Sequence, residues 1–220
     1  MNYATNTTRC KRLAYLIKRC IYRLLLLWGC VVLLGACAPL PPKHQENICE
    51  IFREYPEWFW AAQVSQAQWG IPISVQMAIM YHESHFDAHA KPNRQTFFWI
   101  LPGARPSTAY GYSQALDGTW AEYKKEIGKE GHRSNFTAAI DFLGWYCHRA
   151  HLRAGIPVHD AFALYLAYHE GVGGYLRGTY KKKAWLITKA KRVQYQANLY
   201  HQQIVQCQHS LPKKSHWDFF

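Results

Sequence analysis

Acidic residues are scarce in this chain. Fourteen Asp and Glu stand against 26 Lys and Arg in 220 residues. None of the acids falls in the first 23 residues, which carry Arg9, Lys11, Arg12, Lys18, Arg19 and Arg23. A long hydrophobic run is also missing. The apolar stretch Leu24 to Ala36, broken only by small residues and Trp28, is too short to span a bilayer comfortably but long enough for the core of an export signal. No segment alternates apolar and polar residues in the manner of a β-strand, and no internal repeat is present. Zinc spacing is absent among the 12 His. In His82-Glu83-Ser84-His85 the two imidazoles are three apart rather than four, and His85 and His89 are four apart in a loop-like stretch. The sequence therefore predicts a mainly α protein with no metal and no cofactor.

What is present at the N-terminus is an address. The basic segment and apolar run end in Leu34-Gly35-Ala36-Cys37, which resembles the bacterial lipobox, where cleavage precedes a Cys that becomes lipidated. The resemblance implies a signal peptide over 1–36, a lipid on Cys37 and attachment to the membrane through that anchor. Ala38, rather than Asp, after the Cys implies the periplasmic side of the outer membrane. Pro39 to Glu46 reads as a Pro-rich tether, so that 37–47 is a spacer, 48–210 the domain and 211–220 a loose tail. Removing residues 1–36 of the 220 leaves 184, enough for one domain with a sizeable core. It also leaves 20 basic residues against 14 acidic ones, a surplus of +6. That charge suits an anionic polymer. Export argues against nucleic acid and for peptidoglycan. Of seven Cys, the domain retains Cys49, Cys147 and Cys207, which allow one bridge. Cys49–Cys207, joining the two ends of the domain, is the pairing expected.

From Ile48 onward the pattern is helical. Glu57 to Trp69 follows Pro56 and stops at Gly70. Pro72 opens a helix running to about Ser84. Residues 88–112, with three Pro and two Gly, read as a long loop. Thr119 to Ile127 is announced by Asp117-Gly118, Asn135 caps Phe136 to Ala154, Val158 to Glu170 ends at the Gly171–Gly174 cluster, and Lys183 to Gln208 is a long terminal helix. On the second of these helices Val75, Ile79 and Glu83 fall at i, i+4 and i+8, so the carboxylate extends an apolar row. Partial burial there favours the neutral acid, the form able to give a proton to a leaving oxygen.

The residues around Glu83 make a pattern. Glu83-Ser84-His85-Phe86-Asp87-Ala88 is followed by Gly111-Tyr112-Ser113-Gln114 and then by Ala167-Tyr168-His169-Glu170-Gly171-Val172-Gly173-Gly174. In this order and context the chain resembles the lytic transglycosylases of the soluble-lytic-transglycosylase type, within the lysozyme-like superfamily. The resemblance covers about residues 56–205. It implies a lysozyme-like helical domain with a long active-site loop, acting on peptidoglycan glycan strands. It implies that Glu83 serves alone as acid and then base. The bond cut is the β-1,4 link from N-acetylmuramic acid to N-acetylglucosamine, and the product is a 1,6-anhydro sugar. Tyr168 is expected to hydrogen-bond Glu83. Ser84, Ser107, Gly111, Tyr112, Ser113, Gln114 and His169 are expected around the substrate. A late Tyr completes the set, Tyr195 being preferred and Tyr200 the alternative.

The chain departs from the family pattern in four places, one being Lys191-Arg192 where an acidic residue is expected before the late Tyr. Tyr112-Ser113 stands for Leu-Met, which predicts a more polar cleft wall. His169 stands for Asn and adds a titratable ring. An insertion over 91–106 displaces the usual Ser to Ser107 and carries Phe97-Phe98-Trp99-Ile100-Leu101, a tip that either stacks on sugar or packs in the core. Asp87, Asp117 and Glu170 are candidate partners for a two-carboxylate mechanism. Two other functions stay open: a hydrolase of goose-lysozyme type and a non-catalytic peptidoglycan-binding lipoprotein.

Overall fold

In the computed structural model, the described residues run from Leu40 to Leu211, apart from 95, 98–100 and 103, with Lys18, Arg19 and Arg23 described in addition. Side chains of 95–103 are not described. The signal segment with Cys37, most of the insertion's apolar tip and the tail 212–220 lie outside this set. Contacts divide the chain into residues 1–39 and 40–220. The second unit holds the helical domain.

Its helices begin and end where local chemistry dictates. Helix α1 (Ile48–Glu54) is capped by the Asn47 side chain, which accepts from the amides of Cys49 and Glu50. Helix α2 (Pro56–Trp69) has Pro at its first position and ends on left-handed Gly70, as these residues favour. Helix α3 (Ile73–Ser84) follows Pro72. Helix α4 (Asp117–Ile127) ends at Gly128. Helix α5 (Phe136–Ala154) has Asn135 as its side-chain cap and Gly155 at its end. Helix α6 (Ala161–Leu176) starts after Asp160, whose carboxylate accepts from the Ala163 amide at 2.9 Å. A 3-10 turn (Thr179–Lys182) leads into α7 (Ala184–Cys207). In the inserted loop two short strands, β1 (Thr96–Phe97) and β2 (Leu101–Pro102), pair antiparallel with Phe97 opposite Leu101.

Helix α6 differs from the sequence expectation at both ends. Residues 157–160 form a turn that Asp160 turns into a cap, which delays the start. At the far end Gly171 adopts φ 73°, ψ 152° and kinks the helix without stopping it. The segment expected as a tether is also held. Tyr55 donates to the Leu40 carbonyl at 2.7 Å, Tyr200 to the Gln45 carbonyl, and Gln203 Nε2 to the Glu46 carbonyl at 3.1 Å. A bond between Cys49 and Cys207 ties α1 to the end of α7, while Cys147 is free and buried.

Helix α3 is the axis of the domain. Every residue from Ile73 to Met80 is buried, the mark of a helix enclosed on all sides. It packs against α7 on one side and α5 and α6 on the other. Of its buried polar side chains, Gln76 donates to the Ile71 carbonyl and accepts from Ser65 Oγ at 2.8 Å, so the core holds no cost there. Helices α2 and α5 meet closely at Gly144, where a Cβ would lie 2.5 Å from Ser65 Oγ and from the Trp69 ring. Stacked Trp58 and Phe136, with ring centres 4.1 Å apart, close the core beneath the loop after α3. Only the C-terminal end of α3, from Tyr81, emerges from this packing. Among the described residues no helix is long and apolar enough to cross a membrane.

Candidate active site

Glu83 sits at that emerging end, with 14% of its side chain exposed. The burial of Val75 and Ile79 below it explains the position: the row that α3 turns inward carries the carboxylate to the edge of the core. Tyr165 of α6 donates to Glu83 Oε1 at 2.7 Å. Lys189 of α7 places its ammonium 3.8 Å from the same oxygen and 5.5 Å from the centre of the Tyr165 ring. Burial, then the Glu83 charge, holds the Tyr165 hydroxyl well above its usual pKa, so it acts as a fixed donor. One carboxylate oxygen is thus engaged. His82, beside Glu83, is pushed down to about 4 by burial and then by Lys189, and remains a neutral ring.

Just past α3 the chain turns through His85 (φ 52°) and Phe86 (φ 59°). Two consecutive non-glycine residues in the left-handed region are costly and persist only when packing enforces them. Here the Phe86 ring is fully buried near Trp58 and Tyr81. Ser84 Oγ bonds back to the Met80 carbonyl at 3.3 Å, so it closes the last turn of the helix.

The tyrosine expected on Glu83 is elsewhere. Tyr168 donates to the Ser113 carbonyl at 2.5 Å and so fastens α6 to the loop before α4; Tyr165, one turn earlier, takes the Glu83 position. The Gly111–Gln114 segment is also corrected. Tyr112 and Ser113 are fully buried and form no cleft wall, because the Tyr112 ring fits edge-on against Trp58 and Phe136. Gly111 (φ 74°) serves a protein contact: a Cβ would lie 2.2 Å from the Arg133 carbonyl, which accepts from the Tyr112 amide. Gln114, also left-handed, spends Nε2 on the carbonyls of Ala90 and Gly111, both at 2.9 Å. Its Oε1 is left as an acceptor.

Gln114 lines a recess of about 270 Å³ with Leu116, Phe142, Tyr168, His169 and Glu170. A larger groove of about 750 Å³ lies along α2 and the second half of α7, and Glu83 lines neither of the two. Within one turn α6 carries Tyr168, which lines the smaller recess, and Tyr165, which donates to Glu83.

Neither late tyrosine reaches the acid. Tyr195 is 70% exposed and Tyr200 is buried against Gln45. Helical geometry explains both. Tyr195 lies six residues from Lys189, about 240° around α7, whereas Tyr200 shares the Lys189 face but is about 16 Å further along. Ser107 is exposed and accepts only from the Ala109 amide. The three other candidate carboxylates are committed to different partners. Asp87 accepts from the His89 amide at 2.8 Å. Asp117 pairs with Arg133 at 2.6 Å. Glu170, 5% exposed, accepts from Lys183 at 2.6 Å, Thr179 at 2.5 Å and His169 Nδ1 at 3.0 Å. Lys183, then Thr179, hold its carboxyl down at about 2. Among the described residues no three metal-ligating side chains converge.

Tyr165 and Lys189 are the site residues that sequence reasoning missed. Tyr165 had a signal, since it shares a face of α6 with Tyr168 three residues on. Lys189 had none, being one lysine in a basic helix.

The family model described as "Transglycosylase SLT domain" matches residues 25–207. The chain belongs to this family of lytic transglycosylases, and its helical domain is of the lysozyme-like kind. No curated protein matches the chain.

Proposed function

We propose that the protein cleaves peptidoglycan glycan strands by transglycosylation, with Glu83 as the sole acid and base. The observation that carries this reading is the state of Glu83: a mostly covered carboxylate with one oxygen held by Tyr165 and no neighbouring carboxylate in its hydrogen-bond set. The other oxygen, Oε2, is the one available to a substrate. Glu83 gives its proton to the glycosidic oxygen as the bond from muramyl C1 breaks, and the N-acetylglucosamine alcohol leaves. The same oxygen then takes the proton from the muramyl C6 hydroxyl as that oxygen bonds to C1. Proton and charge balance across the two steps, and no water is consumed. The substrate's own acetamido oxygen stabilises the C1 cation between them, the role a second carboxylate fills in other glycosidases. Fixing Oε1 limits the carboxyl's rotation and holds Oε2 in one direction.

Digesting purified sacculi and weighing the released sugars tests the reaction. Anhydro ends, lighter by one water than reducing ends, support transglycosylation. Reducing ends mean a goose-lysozyme-type hydrolase, and no release means a non-catalytic binder.

We further propose that residues 1–36 are removed as a signal peptide and that Cys37 carries a lipid holding the domain at the periplasmic face of the outer membrane. The support is the lipobox-like Leu34–Cys37 sequence and the basic, acid-free segment before it. Labelled fatty acid is expected in the native chain and absent from Cys37→Ala; equal labelling of both contradicts the anchor.

A further inference from the structure

Three features outside the catalytic pair converge on the recess beside Tyr168. The first is an exposed indole. Trp185, in the first turn of α7, is 57% exposed, although its ring centre lies 5.1 Å from that of His169, edge to face at 75°. The indole is held there. Lys183, two residues earlier, is bonded to Glu170 at 2.6 Å, and this pair fixes the start of α7 against the end of α6. A single exposed aromatic is ordinary on a protein surface. This one touches His169, which lines the recess together with a second exposed apolar residue, Leu116, at 47%.

The second feature is an oriented imidazole. The carboxylate of Glu170 only accepts, so His169 Nδ1 carries the proton shared with it. In the tautomer that places the proton on Nδ1, Nε2 is an acceptor. His169 lines the recess and retains about a third of its side-chain exposure. The third feature is Gln114, whose Oε1 is left as an acceptor when Nε2 is spent on backbone. An exposed indole, an apolar lining residue and two acceptors match the chemistry of an N-acetylated pyranose. Its C–H face seeks an aromatic plane, and its hydroxyl and amide N–H groups seek acceptors.

We infer that Trp185 is a saccharide-stacking residue and that His169, positioned by Glu170, hydrogen-bonds the same sugar through Nε2. This builds one binding position next to the sugar whose glycosidic oxygen Glu83 protonates. The placement comes from α6: His169 is four residues beyond Tyr165, about 6 Å along the helix axis. The inference rests on the proposed function, since it names a subsite for the same glycan strand.

The test uses the full-length protein carrying Glu83→Gln, so that ligand is not consumed. A tetrasaccharide of alternating N-acetylglucosamine and N-acetylmuramic acid is titrated calorimetrically. Adding Trp185→Ala is expected to weaken affinity about tenfold, from the usual worth of an aromatic contact. Trp185→Phe is expected to stay within about threefold, because a ring is retained. His169→Ala is expected to lose about three- to tenfold, one hydrogen bond. Melting temperatures of the Trp185 variants should match the parent, since the indole is mostly in water. In the active enzyme the same Trp185 substitutions are expected to raise KM and leave kcat nearly unchanged. Unchanged affinity in Trp185→Ala overturns the inference, as does unchanged affinity accompanied by lost adsorption to lipid vesicles, which would make the indole a membrane contact. If the parent itself binds no tetrasaccharide, the proposed function falls and this inference with it.

Discussion

The Tyr165 hydroxyl gives the sharpest prediction, because the family pattern and the geometry point to different tyrosines. Tyr165→Phe keeps the buried ring and deletes the oxygen that donates to Glu83 Oε1 at 2.7 Å. A hydrogen bond to a charged group contributes about 1.5–3 kcal/mol. If that restraint is lost throughout the proton transfers, kcat falls roughly ten- to 150-fold. The ring still fills its place in the core, so the melting temperature should fall by several degrees at most, no more than in Tyr168→Phe. Tyr168→Phe is the matched control. Its hydroxyl caps the buried Ser113 carbonyl, and leaving that oxygen unpaired costs about 1–3 kcal/mol, a fall of roughly 3–10 °C. Initial rates on sacculi and thermal unfolding of both variants settle the matter. Tyr165→Phe at full activity, or a larger catalytic loss in Tyr168→Phe than in Tyr165→Phe, would refute the assignment.

The packing sets two further outcomes. Cys49 and Cys207 are 158 residues apart, and a closed loop of that length restrains the unfolded chain by up to about 5 kcal/mol. Replacing both with Ser should lower the guanidinium midpoint clearly, and an unchanged midpoint counts against the bridge. Glu170 is held at about 2 against an ordinary 4.5; the side chain is nearly covered, and the difference corresponds to roughly 3 kcal/mol. A depressed folded-state pKa stabilises the fold above pH 4.5, and that contribution is lost as pH falls towards 2. The stability gap between the native protein and Glu170→Gln should therefore narrow across that window, and a gap independent of pH contradicts the Lys183 pairing.

Much of the architecture is legible in the residues themselves. Asn135 and Gly155 bound α5 because a cap side chain and a left-handed glycine are local chemistry, readable without neighbours. The enclosure of α3 is readable from its mostly apolar run, interrupted only by Ser74 and Gln76, and with it the position of Glu83. What resists reading depends on how helices cross. Tyr165 and Tyr168 both face inward on α6, and only the crossing with α3 decides which hydroxyl meets the acid. Tyr112 has no periodic context in its loop, so nothing in the sequence separates a cleft-lining ring from one that fills the core against Trp58. On α7, Tyr195 matches an expected late tyrosine by order, yet the helix turns it outward and brings Lys189 to Glu83 instead.

If one carboxyl performs both proton transfers, removing its acidity alone must stop the reaction. The decisive experiment is the release of soluble fragments from sacculi by Glu83→Gln, measured beside the native protein at equal folded concentration. The amide preserves the shape and the Tyr165 contact but has no proton to give or take. An unchanged melting temperature and no release above the uncatalysed level are expected. Substantial turnover by this variant would mean that another group moves the protons.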